Sequence, residues 1–151
     1  MELQLQVGVK VILVNKDGKI LLLQRNLEKY PDIKANDSLD IVGGRIVVGT
    51  TLWDNLKREI FEETKLSMLE SPKLLAAQDI LRKDKHVVRL TYLARVDGEP
   101  KLDEDHSSYK WLTLDEVKNE KNLDQYAKEV FENFSFGLFS DIFQKWQSKE
   151  N

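Results

Sequence analysis

The order of signals along the chain predicts an α+β or α/β sandwich. Strand-like segments outnumber helical ones and mix with them irregularly. A length of 151 residues suits one domain, spanning 1–151. A hydrophobic fraction of 41% and a charged fraction of 32% suit a soluble folded chain rather than a disordered one.

The elements follow from local pattern. Leu3–Val14 is rich in β-branched residues and leucine, partly alternating with Gln and Lys, and predicts a strand. Asn15-Lys16-Asp17-Gly18-Lys19 is a turn, and Ile20–Gln24 the returning strand. The polar stretch from Asn26 to Ser38 is long for a connection inside a compact domain, and such loops are often functional. Leu39–Val42 is a short apolar segment ending at Gly43-Gly44. Thr51 to Thr64 predicts a helix, with Thr51 and Asp54 spaced as a variant capping box. Trp53, Leu56, Ile60 and Thr64 would form its buried stripe. Leu74–Leu81 and Val87–Val96 are two strands around the turn Arg82–His86, and Asp97-Gly98-Glu99-Pro100 is another turn. Tyr109–Thr113 is a short strand and Leu114–Lys118 a short helix. A longer helix is expected from Leu123 to about Trp146, weakened around Ser135-Phe136-Gly137.

Composition excludes several function classes. No cysteine is present, which removes disulfide scaffolds, thiolate metal sites and cysteine nucleophiles. His86 and His106 are the two histidines, so a three-histidine zinc site is excluded. The formal net charge of −3 removes a broad electrostatic drive toward nucleic acid, so no nucleic-acid partner is expected. No secretory signal or membrane-length apolar run is evident, and a cytoplasmic location is expected by elimination.

The chemistry concentrates in Gly43–Leu66. Glu59, Glu62 and Glu63 stand at i, i+3 and i+4, so one helical face carries all three. Like charges at those spacings repel, and a clustered cation would reverse the penalty. Hard oxygen donors without thiolate or imidazole suit Mg²⁺, with Mn²⁺ as a substitute. Arg58 adjoins the cluster and can hold a carboxylate by a bidentate contact. Glycine at Gly43-Gly44 permits a sharp turn whose exposed carbonyl could complete a metal shell.

The segment resembles the Nudix hydrolase family (MutT-like). Its signature is Gly, five residues, Glu, seven residues, then Arg-Glu-U-x-Glu-Glu-x-Gly-U, with U bulky and apolar. Here it runs from Gly44 to Arg58-Glu59-Ile60-Phe61-Glu62-Glu63-Thr64-Lys65-Leu66 at matching spacing. Thr50 replaces the first Glu, Lys65 the last Gly, and Val42 the proline common before the glycines. Ile20–Arg25, Asp105-His106…Trp111 and Asp115-Glu116 extend the likeness over about 7–117.

The resemblance implies an α/β/α sandwich with a mixed sheet, the catalytic helix on one face and a C-terminal helix on the other. It implies a pyrophosphohydrolase acting on a nucleoside diphosphate linked to another moiety: a nucleoside triphosphate, ADP-ribose or a dinucleoside polyphosphate. Glu59, Glu62, Glu63 and the Gly43 carbonyl would bind the metal. Arg58, Glu62, Glu63 and Asp105 would serve catalysis, with Glu62, Glu63 and Asp105 the water-activating candidates and Glu104 the neighbour of the last. Arg25, Gly44 and Arg45 would contact substrate. The alternative reading is a catalytically weakened nucleotide-binding or regulatory module. Thr50 and Lys65 favour it, and the intact trio of Glu59, Glu62 and Glu63 disfavours it.

The remaining signals are weaker. Arg82, Lys83, Lys85, His86 and Arg89 fit a solvated hairpin better than a phosphate patch, because Asp84 interrupts them and no aromatic interleaves them. His106 fits a surface histidine, and Trp53 and Trp111 core positions. Tyr30 and Trp146 are free to stack on a base. Phe131, Phe134, Leu138 and Phe143 suit core or the contact of a homodimer.

Overall fold

A computed structural model describes residues 2–133, 140–142 and 144–145. The strands are β1 (Gln4–Val14), β2 (Ile20–Arg25), β3 (Leu39–Asp40), β4 (Val42–Arg45), β5 (Lys73–Leu81), β6 (Lys85–Arg95) and β7 (His106–Leu112). The helices are α1 (Leu52–Thr64), α2 (Leu114–Lys118) and α3 (Gln125–Glu132).

One mixed sheet runs β3-β2-β1-β6-β5, with β4 also paired to β1 and β7 to β2. β1 and β6 lie parallel from Gln4↔Lys85 to Val14↔Arg95, while β4 runs antiparallel to β1 from Gly8↔Arg45 to Val11↔Val42. The period-two pleat of β1 divides its side chains between two cores. Val9, Val11 and Leu13 pack with Leu56 and Ile60 of α1. Ile12 and Val14 pack with Val117 of α2 and Val130 and Phe131 of α3. The fold is therefore the expected α+β sandwich, with α1 on one face and α2 and α3 on the other.

Several boundaries differ from the sequence reading. Leu39–Val42 is not one strand: β3 pairs with β2 and β4 with β1, with Ile41 between them. Gly43-Gly44 therefore lies inside a strand rather than in a turn. β7 begins at His106, three residues earlier than expected, because Arg25 of β2 pairs with it. Lys85 and His86 belong to β6 rather than to the preceding turn. α3 stops at the C-cap Asn133, short of Trp146. Residues 140–142 and 144–145 are again helical. Ser135-Phe136-Gly137, Phe134, Leu138, Phe143 and Trp146 lie outside the described residues.

Trp53 is not core: it is 40% exposed, with Lys57 Nζ 5.6 Å from its ring. It shares the helical phase of Ile60, but the N-terminal turn of α1 leaves it without a packing layer. Trp111 is half-buried against the α1-side core, and its indole N–H donates to Glu99 Oε2 at 3.0 Å. Phe131 is core, at 1% exposed.

Candidate active site

Backbone constraints place α1 against the glycine strand. Gly43 has φ +153, and a Cβ there would collide with Val9 O. A Cβ on Gly44 would meet Glu59 Oε1 at 2.6 Å, so glycine is what lets the Glu59 carboxylate lie against β4. Gly43 N–H donates to Glu63 Oε2 at 3.2 Å. Two carboxylates one helical turn apart thus face two successive glycines.

Burial pushes the Glu63 carboxyl up to about 8; Lys10 opposes this and the neighbouring Glu59 adds to it. Burial also raises Glu59, against the pull of Arg58. Two half-dehydrated carboxyl groups side by side form a hard-oxygen donor set that a divalent cation satisfies. Glu62 points elsewhere: its side chain is 55% exposed and 3.4 Å from Arg58 Nη1. Among the described residues no three or more His, Cys, Asp or Glu side chains converge as a ready metal cage. The structure brings Glu59 and Glu63 together and leaves Glu62 on the rim.

Arg58 is fixed by a network that the sequence reading missed. Its guanidinium donates to Glu59 Oε1 at 2.8 Å, to Arg45 O at 3.1 Å and to Asn55 Oδ1 at 2.9 Å. Asn55 is 1% exposed. Its Oδ1 also accepts from Val47 N–H at 3.0 Å, and its Nδ2 donates to Thr50 Oγ1 at 2.8 Å and Thr51 O at 2.6 Å. Thr50 in turn donates to Val47 O at 2.6 Å. The position where the signature carries Glu is thus part of a structural hydrogen-bond chain reaching Arg58. A polar residue beside the apolar position Leu56 was the signal for Asn55. Thr51 caps the helix as expected, accepting from Asp54 N–H at 3.0 Å. At the other end Lys65 takes the left-handed conformation with φ 62.

Glu63 opens onto a cleft of about 440 Å³, whose walls include Lys10, Arg25, Arg45, Asp105 and His106. That volume falls in the usual range for small-molecule sites. Asp40, a second missed residue, organises the inner wall. It is 2% exposed and bonds Arg25 Nη2 at 2.5 Å and Lys10 Nζ at 2.8 Å. Burial pushes the Asp40 carboxyl up, but the two cations outweigh burial and hold it at about 2. A lone acid between Leu39 and Ile41, and a lone lysine between Val9 and Val11, were its traces in the sequence.

Asp105 lines the cleft, but its carboxylate is occupied. Lys29 Nζ lies 2.6 Å and Tyr30 Oη 2.9 Å from Oδ1, and these two hydrogen bonds lower its pKa. Asn26 N–H donates to Asp105 O at 2.8 Å, so this residue ties the loop after β2 to the loop before β7. Glu104 is 94% exposed at its side chain and 3.9 Å from Lys29. His106 is not a surface residue: 11% of its side chain is exposed, and its Nδ1 lies 2.7 Å from Asp103. Arg89 also departs from the solvated-hairpin expectation, pairing with Asp124 at 3.1 Å on the α3 side of the sheet. His86 stays near the surface, 2.8 Å from Asp79.

A glycine strand clasped by helix-borne carboxylates thus lies beside a cleft walled by arginine and lysine. The NUDIX domain model matches residues 4–134, and the chain belongs to the Nudix family as a Nudix pyrophosphohydrolase. Solved structures agree. A MutT NUDIX hydrolase from Burkholderia pseudomallei is 26% identical, with 87% of this chain and 99% of that one covered and a TM-score of 0.71. A MutT protein from Methanosarcina mazei Go1 is 24% identical over 87% and 94%, with a TM-score of 0.74. A C. elegans Ap4A hydrolase shares the fold at 18% identity over 88% and 97%, with a TM-score of 0.66. A search of curated proteins finds no relative. Among the described residues no helix is long and apolar enough to cross a membrane.

Proposed function

We propose that this enzyme cleaves a diphosphate bond in a nucleoside diphosphate linked to another moiety, with Mg²⁺, or Mn²⁺ in its place. The observation that carries the reading is the Glu59–Glu63 pair against Gly43-Gly44, with Glu63 lining a cleft walled by Arg25 and Arg45. Nudix hydrolases generally use divalent metals and act on small nucleotides, and the donors here fit such an ion. Glu59 and Glu63 would hold it, joined by the Gly43 carbonyl. Once bound, it supplies charge neutralisation at the diphosphate and polarises phosphorus toward water.

The chain's own groups supply the rest. Arg25, anchored by Asp40, presents a fixed cation to the phosphate oxygens. Arg45 extends the same wall. Arg58 contacts Glu59, Glu62 and the Arg45 backbone, which makes it a positioning residue. Glu62, exposed and loosely paired, has the freedom to complete the donor set or to take the proton of the attacking water. Asp105 is less suited to that proton, because Lys29 and Tyr30 already hold its carboxylate.

The test is a nucleotide panel with Mg²⁺ or Mn²⁺: nucleoside triphosphates, ADP-ribose and dinucleoside polyphosphates, scored for phosphate, pyrophosphate and nucleotide products. Metal-dependent product release from at least one class is expected. Nucleotide binding with no product from any class would favour the binding-module reading instead.

A further inference from the structure

We propose that Arg45, Arg82 and Lys85 form a subsite for additional phosphoryl groups beyond the diphosphate that is cleaved. The enzyme would then prefer nucleotides with three or more linked phosphates over nucleoside diphosphate sugars. The inference rests on the diphosphate reading above and names the substrate class for that site.

The site is a second depression, of about 250 Å³, which meets the catalytic cleft at Lys10, Gly44 and Arg45. Sheet register builds it. Gly8 of β1 lies between Arg45 of β4 and Arg89 of β6. The β5–β6 turn, closed by Arg82 N–H donating to Lys85 O at 2.8 Å, brings two more cations to the same place. Gly8 adds no side chain to the floor; a Cβ there would meet nothing nearer than Gly44 O at 3.7 Å.

Charge balance separates this depression from the catalytic cleft. Within the cleft Lys10 and Arg25 share the Asp40 carboxylate, and Arg89, which also borders the second depression, pairs with Asp124. The second depression has no carboxylate in its lining. Among the described residues no ion pair within 4.0 Å holds Arg45, Arg82 or Lys85, although Arg82 also borders a hollow lined by Asp32, Asp37 and Asp124. Three unneutralised cations around one hollow repel one another, and an anion entering it relieves that repulsion. Arg45 lines both spaces, so a phosphate chain lying against Gly44 can pass along it toward Arg82 and Lys85. The neutral sugar of a nucleoside diphosphate sugar has nothing to gain there.

Inorganic tripolyphosphate binding, measured by calorimetry in metal-free buffer, tests the subsite without turnover. The Arg82→Ala/Lys85→Ala double variant should lose about tenfold or more in affinity, with a shallower salt dependence. Lys57→Ala, on the outer face of α1, should leave the affinity unchanged. In turnover the double variant should raise KM for adenosine 5′-tetraphosphate about tenfold and leave KM for ADP-ribose unchanged. Unaltered tripolyphosphate affinity in the double variant, an equal loss in Lys57→Ala, or equal KM effects on both nucleotides would overturn the proposal. If the wild type hydrolyses no nucleotide while tripolyphosphate binding still depends on Arg82 and Lys85, the diphosphatase reading fails and the anion subsite stands.

Discussion

Asn55 Oδ1 accepts a hydrogen bond from Arg58 Nη2 at 2.9 Å, one helical turn along α1, and the same oxygen accepts from Val47 N–H at 3.0 Å. A single buried carboxamide therefore couples the loop before α1 to the arginine that braces Glu59. Asn55→Ala leaves Val47 N–H and one arm of Arg58 without that partner. The expected cost is about 1–3 kcal/mol, read by urea unfolding, with a fall in kcat/KM. A stability change under about 0.5 kcal/mol would show that water replaces the carboxamide.

Thr50 belongs to the same network, which changes what restoring the signature residue should do. Glu in place of Thr50 lacks the hydroxyl that donates to Val47 O and cannot keep its short reach to Asn55 Nδ2. Thr50→Glu should lower the melting temperature, whereas Thr50→Ser should keep it. A Thr50→Glu variant as stable as wild type and more active would mean that the network is dispensable.

Lys65 ends α1 at φ 62, where a Cβ crowds the backbone. Lys65→Gly relieves that strain but enlarges the freedom of the unfolded chain. The net expectation is a gain of about 0.5–1 kcal/mol by chemical denaturation. A loss would show that the lysine contacts, its Nζ 3.3 Å from Glu62 O and 5.1 Å from the Phe61 ring, outweigh the strain.

Asp40 sets a pH dependence. Its folded pKa of about 2 lies below the ordinary 3.8, so the unfolded chain takes up the proton first as pH falls. The stabilisation is complete well above pH 3.8 and drains away as pH drops from there through about 2. Asp40→Asn strands Lys10 and Arg25 and should cost several kcal/mol at neutral pH. The gap between wild type and Asp40→Asn should narrow between pH 5 and pH 2 in denaturation series. A constant gap would remove Asp40 from the acid transition.

Mg²⁺ or Mn²⁺ should raise the melting temperature by mass action. Glu63→Gln should remove most of the rise while remaining folded. The same rise in the variant would place the cation elsewhere.

Asp105→Asn separates a tether from a base. With its carboxylate held by Lys29 and Tyr30, the substitution should lower kcat only a few-fold while increasing hydrogen exchange or proteolysis in the loop at 26–34. A base contributes about 100- to 10,000-fold, so a kcat loss in that range with an unchanged loop would return the role to Asp105.

The sequence by itself determined the strand and helix phases, the capping by Thr51 and the Gly43–Leu66 pattern, because each depends on residues within one or two turns of one another. Tertiary structure decided what lies across the sheet. Helical phase put Trp53 on the inner stripe, but packing left it 40% exposed at the helix N-terminus. Spacing put Glu59, Glu62 and Glu63 on one face, yet only Glu59 and Glu63 meet the glycine strand, while Glu62 stays 55% exposed beside Arg58. Asp40, Lys10 and Arg25 come from three strands, and neither their ion-pair cluster nor the Asp40 pKa of about 2 can be read from positions 30 and 15 residues apart. Arg45, Arg82 and Lys85 likewise share a hollow only because β1 pairs with β4 on one side and β6 on the other. Local energetics are written in neighbouring residues, whereas the electrostatics of a site depend on which distant charges the sheet brings within a few ångströms.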